Sequence, residues 1–409
     1  MKLELVRGEL TFPTGVSFDT AGSIYVAESG LTFGGAPQGG RILRFSNGES
    51  TVLAAGLRPP VNGITADDRE LYISEGGHPA RISRLGARGQ LEPILEGLPG
   101  PGNYHTNMAV LGPDRRLYFS QGAMTNSGIV GLDAYELGWL GRLPHAHDVP
   151  GYDVVLAGEN VETDDPVRGG RIRTGAFVPF GTETRPGQRS RGRVPATSAV
   201  MRCDLDGGNL ELVAWGLRNA YGLGFLPDGR LLAIDQGADD RGSRPIGAAP
   251  DLLFEVRAGA WYGWPDFIGG DPVTDQQYQP QRGPGPRFLL TNHDELPPPE
   301  RPLVRFRPHA AAVKFDVSPD GWLAVALFGD EAPMTAPAGA PSVRTVVRID
   351  VGEWRVKPLG LDGLSRPIDV RFDREGALWV LDFGRFEVTK KGITAEPKTG
   401  ALYRVRSGS

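Results

Sequence analysis

Only one cysteine, Cys203, occurs in the 409-residue chain, which excludes an internal disulfide and any thiolate-based zinc cluster within one chain. Stability must come from packing. No segment approaches the roughly 20 consecutive apolar residues that span a bilayer, and the opening MKLELVRGEL lacks the apolar stretch of a secretory leader. The expectation is a chain with no membrane span. Charge of one sign is also scarce: 44 bases against 49 acids give a formal −5 with no long basic run. The electrostatic footprint of a nucleic-acid partner is therefore missing. P-loop, GxSxG, HExxH and dinucleotide fingerprints are absent too, which leaves nucleotide, triad-hydrolase and zincin chemistry without support.

Glycine (58) and proline (35) are plentiful, and the glycines sit between short apolar runs where tight turns need them. One pattern of strand, Gly- or Asp-containing turn and second apolar strand occurs six times: PTGVSFDTAGSIYVAE, VNGITADDRELYISE, HTNMAVLGPDRRLYFSQ, NAYGLGFLPDGRLLAID, AAVKFDVSPDGWLAVAL and RPIDVRFDREGALWVLD. Most copies are followed by a further short apolar run, such as RILRF, RISRL or ALYRV. A repeated hairpin with at least one more strand matches a four-stranded propeller blade. The spacing predicts an all-β, six-bladed β-propeller spanning 1–409 as a single domain. Two insertions, about 124–193 and 260–300, are rich in Pro, Gly and polar residues and read as long loops on one face.

Aligning the copies on Ile24, Leu71, Leu117, Leu231, Leu323 and Leu378 separates scaffold from site. Two residues on stand Val26, Ile73, Phe119, Ala233, Val325 and Val380, a core row. Four residues on, along the same strand face, stand Glu28, Glu75, Gln121, Asp235, Leu327 and Asp382. Buried carboxylates need partners, so the four acids should face water, a basic partner or a cation, or else bond turn backbone amides. Twelve residues before three of the anchors lie His105, Asn219 and Arg366, three different hydrogen-bonding side chains at one repeated position. With Arg218 beside them they are expected to converge on the channel axis as a site.

Two other groups stand out. His145, His147 and Asp148 in PHAHDVPG could bind a metal, but lack the helical spacing of zinc enzymes. WYGWPDF, from Trp261 to Phe267, offers flat surfaces that could stack a ring compound or fill a packed loop.

The run GLRNAYGLGFLPDGRLLAIDQGADDRGS, from Gly216 to Ser243, followed by WYGWPDF, resembles the soluble quinoprotein glucose/sorbosone dehydrogenase family. The likeness is strongest over 216–270. It implies a six-bladed propeller holding pyrroloquinoline quinone and calcium above its channel, an external electron acceptor, and a periplasmic or secreted location. By position, His105 resembles the family's general base, which takes the proton of a sugar hydroxyl while hydride passes to the quinone. Arg218 and Asn219, with Gln236, resemble quinone-holding residues, and Arg366 resembles an arginine that meets a quinone carboxylate. Gly237 and Ala238 resemble the loop whose carbonyls bind calcium, with Asp235 beside it. Three positions depart from the family. Gln121-Gly122-Ala123 replaces the strand end carrying a carboxylate that orients the base, Ile368 replaces a common second arginine, and ALFGDEAP holds no cofactor-binding lysine.

The leading expectation is thus a quinone-dependent oxidoreductase of aldose sugars or related alcohols, since an anionic tricarboxylate needs cations, its calcium needs oxygen ligands and alcohol oxidation needs a base. The alternatives are a calcium-dependent lactonase-like hydrolase, with Glu28, Asn62, Asp235 and Asp382 holding the metal, and a non-catalytic propeller that binds a sugar or a protein.

Overall fold

The computed structural model describes residues 1–46, 49–68, 70–329, 343–389 and 392–406. Of the segment ALFGDEAP, the part after Gly329 lies outside the described residues. Six four-stranded antiparallel sheets form the body of the molecule. Their inner strands are Pro13–Phe18, Val61–Asp67, Thr106–Leu111, Ala220–Phe225, Ala312–Val317 and Pro367–Phe372. Each touches the next and the last touches the first, which closes the ring of a six-bladed β-propeller. The blades are numbered one to six in that order. Blade six borrows its outer strand from the other end of the chain: Lys2–Leu10 pairs antiparallel with Gly400–Arg406. Closure of this kind leaves the ring without a gap between first and last blade.

The repeated hairpins form because their turns have the residues that the geometry requires. In blades one, four, five and six the turn closes on Gly22, Gly229, Gly321 and Gly376, at φ between 80° and 88°, each donating its N–H to the carbonyl three residues back. A left-handed φ is cheap only for glycine. The core row of the alignment is as expected: Val26, Ile73, Phe119, Ala233, Val325 and Val380 are all fully buried.

Every inner strand also breaks register with its neighbour within its first few residues. Such bulges re-aim side chains, and here all six sit at one end of the channel. The second residues of the six inner strands, Thr14, Asn62, Asn107, Tyr221, Val313 and Ile368, together line a single cavity at that end.

The first insertion leaves blade three after Gln121 at the cavity end and contains a short helix, Leu132–Glu136, and two small two-stranded sheets. The second starts from the opposite end, because it follows Val256, which pairs with Leu231 at the far end of the second strand. It then climbs between blades three and four and meets the first insertion, with Ala157 N–H donating to Leu289 O and Thr291 N–H to Val155 O, both at 2.8 Å. The two loops therefore share one packed unit without sharing a point of departure. Trp261 and Trp264 are buried in it, Trp261 stacking on Trp215 at 6.3 Å. WYGWPDF is thus a packed loop. No helix among the described residues is long and apolar enough to cross a membrane.

Candidate active site

The row of acids does not face water. Glu28 accepts the Thr11 N–H at 2.7 Å and pairs with Arg41. Glu75 accepts the Arg58 N–H at 2.7 Å, Arg81 at 2.7 Å and the Ser83 hydroxyl. Asp235 takes the Arg218 and Asn219 N–H groups at 3.2 and 2.6 Å, and Asp382 takes those of Ser365 and Gly384 at 2.6 and 2.8 Å. In these four blades the carboxylate ties down the chain as it enters the inner strand, the turn-amide role. Blade five has Leu327 at this position, and its Ala312 N–H is served instead by Asp251 of blade four at 2.8 Å. Glu28, Asn62, Asp235 and Asp382 therefore do not form one metal site, and Asn62 donates to Thr106 O at 2.9 Å. Among the described residues no cluster of three or more His, Cys, Asp or Glu is placed to hold a metal. His145 and His147 lie in an outer groove, while Asp148 turns inward to Met124 N–H, Thr125 and Thr197.

The cavity over the channel has a volume of about 350 Å³ and draws on all six blades. One flank is apolar, with Phe33, Phe328, Phe383, Phe386 and Ile368. The other carries Tyr104, His105, Asn107, Arg218, Asn219, Gln236, Asp239, Arg241 and Asp251. His105 precedes the inner strand of blade three and is half-buried at this wall. Burial alone lowers its pKa to about 4, so the ring is neutral at neutral pH. Its ring is seated against Gly76, where a Cβ would stand 2.6 Å from His105 Cβ; a Cβ on Gly122 would stand 2.6 Å from Asn219 Oδ1. No hydrogen bond to the imidazole occurs among the described residues, in line with the missing strand-end carboxylate.

Asn219 belongs to an amide relay: Asn107 donates to its Oδ1 and its own amide donates to Gln236 Oε1, both at 2.8 Å. Arg218 also reaches the cavity, but its guanidinium is buried among protein oxygens. It donates to Asn126 O at 2.9 Å, Asn126 Oδ1 at 2.6 Å, Gln236 O at 3.1 Å, Gly237 O at 2.5 Å, Asp239 at 3.0 Å and the Tyr104 hydroxyl. Burial lowers its pKa to about 10, still a cation at neutral pH. Gly237 and Ala238 line the cavity, whereas Asp235 does not; burial raises the Asp235 pKa to about 7. Arg366 differs most from expectation. It is buried behind the apolar flank, its guanidinium over Phe328 at 5.0 Å and bonded to Phe386 O, Phe328 O, Gly329 O and Glu387. The channel-axis grouping therefore holds for His105, Arg218 and Asn219 but not for Arg366.

Sequence reasoning missed several groups. Tyr104 and Arg241 complete the polar flank, Arg241 bonding Asp239 at 3.0 Å and the Tyr104 hydroxyl at 3.0 Å. Below the floor, Lys314 of blade five reaches across the channel to Thr14 O and Asn62 O, both at 2.6 Å, with Asp369 at 3.8 Å. Burial lowers its pKa to about 8. The available signal was a charged residue inside an apolar inner strand, AAVKFDV, which only a channel-facing position explains.

A flat tricyclic quinone would fit the aromatic flank and find donors on the polar one. Of the two carbonyls that would bind its calcium, that of Gly237 accepts a hydrogen bond from the Arg218 guanidinium at 2.5 Å. The two arginines on the wall are also offset by Asp239 and Asp251.

No protein-family model matches the sequence, and no curated protein does. Solved structures are similar to it in fold. An aldose sugar dehydrogenase from Streptomyces coelicolor in its PQQ-bound form is 17% identical, with a TM-score of 0.57 over 98% of this chain and 97% of that one. The PQQ domain of a pyranose dehydrogenase from Coprinopsis cinerea is 15% identical, with a TM-score of 0.56 over 98% and 94%. A protein from Thermus thermophilus assigned as an oxidoreductase (glucose dehydrogenase) is 19% identical, with a TM-score of 0.59 over 98% of both chains. At these identities the likeness establishes the shared propeller.

Proposed function

We propose that this chain is an oxidoreductase of aldose sugars or related alcohols that uses pyrroloquinoline quinone, with His105 as the general base. The observation that carries the reading is His105 itself: an imidazole at the wall of the channel-mouth cavity, neutral at neutral pH and unbonded to other described residues. It stands in a fold shared along almost the whole chain with a PQQ-bound sugar dehydrogenase.

The chain's residues would divide the work as follows. Phe328, Phe383 and Phe386 provide an apolar face for a flat ring system. Arg241 and the relay of Asn107, Asn219 and Gln236 provide the polar face that fixes its orientation, while Arg218, its N–H groups taken by protein oxygens, adds positive charge beside it. When bound, the quinone supplies a two-electron acceptor for hydride. The lone pair of His105 accepts the proton of the substrate hydroxyl. No carboxylate bonds the ring among the described residues, so the imidazolium would be acidic and would pass its proton on readily. An external acceptor would then remove the electrons.

Reconstitution with the quinone, in chelator and in calcium, followed by dye reduction with a panel of aldoses and polyols, tests the reading. Absence of both a spectral change and turnover in either condition rejects it. One observation favours a second reading, a sugar-binding propeller without chemistry: Asp239 and Asp251 balance Arg218 and Arg241, which suits a neutral polyol. Sugar binding that survives His105→Ala, with no turnover in either protein, would favour that reading.

A further inference from the structure

We propose that Arg218 is the resident cation of the 236–239 loop, its guanidinium standing where a divalent metal would otherwise gather the loop's oxygens. The donor set carries the inference. Two successive backbone carbonyls, Gln236 O and Gly237 O, point at one nitrogen, Nη1, at 3.1 and 2.5 Å. Asn126 adds its carbonyl and its side-chain oxygen, Tyr104 its hydroxyl and Asp239 a carboxylate oxygen at 3.0 Å. Carbonyls, an amide oxygen and a carboxylate form the hard-oxygen set that calcium takes. Here they surround a planar cation with five fixed N–H groups.

The loop is held independently of any ion. The Gly237 N–H donates to Asp251 at 2.9 Å, and any side chain at Gly237 would collide with Ala249 O and Pro250 O at 2.6 Å. Both features keep the Gly237 carbonyl aimed at Arg218. A metal could use these oxygens only by expelling a buried guanidinium, which would leave a second positive charge in the same small volume. The cage is therefore complete without calcium. That ligand binding is independent of calcium rests in addition on the quinone reading.

The test is calorimetric titration of calcium into chelator-treated wild-type protein, with thermal unfolding in chelator and in millimolar calcium. Wild type is expected to take up no calcium at this site and to unfold at the same temperature in both. Arg218→Met vacates the cage, so calcium should raise its midpoint while leaving wild type unchanged; Arg218→Gln serves if the methionine variant does not fold. Stoichiometric uptake by wild type, or an equal calcium response in wild type and variant, overturns the inference. Quinone titration followed by tryptophan fluorescence separates this result from the functional reading. Equal affinity in chelator and calcium supports both. Binding only in calcium overturns the cage and leaves the oxidoreductase reading standing. Binding in neither condition removes that reading, and the calcium titration still decides the role of Arg218.

Discussion

Replacing His105 by Asn removes a half-buried group whose folded pKa of about 4 lies well below the roughly 6.5 of a solvated histidine. Between those values the unfolded chain binds a proton that the native protein refuses. Stability from this residue is therefore full above pH 6.5 and is lost as pH falls toward 4. At pH 5 the difference amounts to about 2 kcal/mol, rising to about 3 kcal/mol at and below pH 4. Urea denaturation of wild type and His105→Asn at pH 7 and pH 5 isolates the effect, since the buried acids Asp235 and Asp251 contribute equally to both proteins. Wild type should lose about 2 kcal/mol more than the variant between the two conditions. Proton NMR should show one imidazole titrating near 4 in wild type and absent from the variant. If both proteins lose the same stability, or if His105 titrates near 6.5, the ring is solvated and the description of a desolvated, neutral base is wrong.

In the reconstituted enzyme, His105→Asn should lower turnover by about 10² to 10⁴, measured by dye reduction, while quinone quenching of tryptophan fluorescence persists. Gly76→Ala places a Cβ against that of His105; it should cost about 1–3 kcal/mol in urea denaturation and reduce turnover although residue 76 bears no chemistry. Glu75→Ala strips the partner from the Arg58 N–H, Arg81 and Ser83, and a loss of about 3 kcal/mol is expected with little change in the residual ligand affinity of the folded fraction. Deleting residues 2–10 removes the outer strand of blade six, and calorimetry should show a lower, broader unfolding transition.

The sequence by itself determined the blade number, the hairpins and the core row, because these depend on local rules. Glycine in a turn and an apolar residue at alternate positions are visible within about 20 residues of chain, and the sixfold repeat follows from setting such stretches side by side. It also placed His105, Arg218 and Asn219 correctly at the cavity, since a repeated register carries each inner strand to the same end of the channel. The partners of those side chains belong to tertiary structure. Arg366 shares the register of His105 yet turns behind the apolar flank, because Phe386 and Glu387 from the loop of its own blade and Phe328 and Gly329 from blade five offer it carbonyls and a carboxylate. The acids at the strand ends read as possible ligands, but the nearest unsatisfied amides were those of their own blades. Arg218 was legible as a cation at the site; that it spends its charge on Asn126, Gly237 and Asp239 could be read only after residues about 100 positions apart were brought together. Hydrogen-bond demand in a buried volume is met by whichever group lies nearest in space, and distance along the chain does not report that.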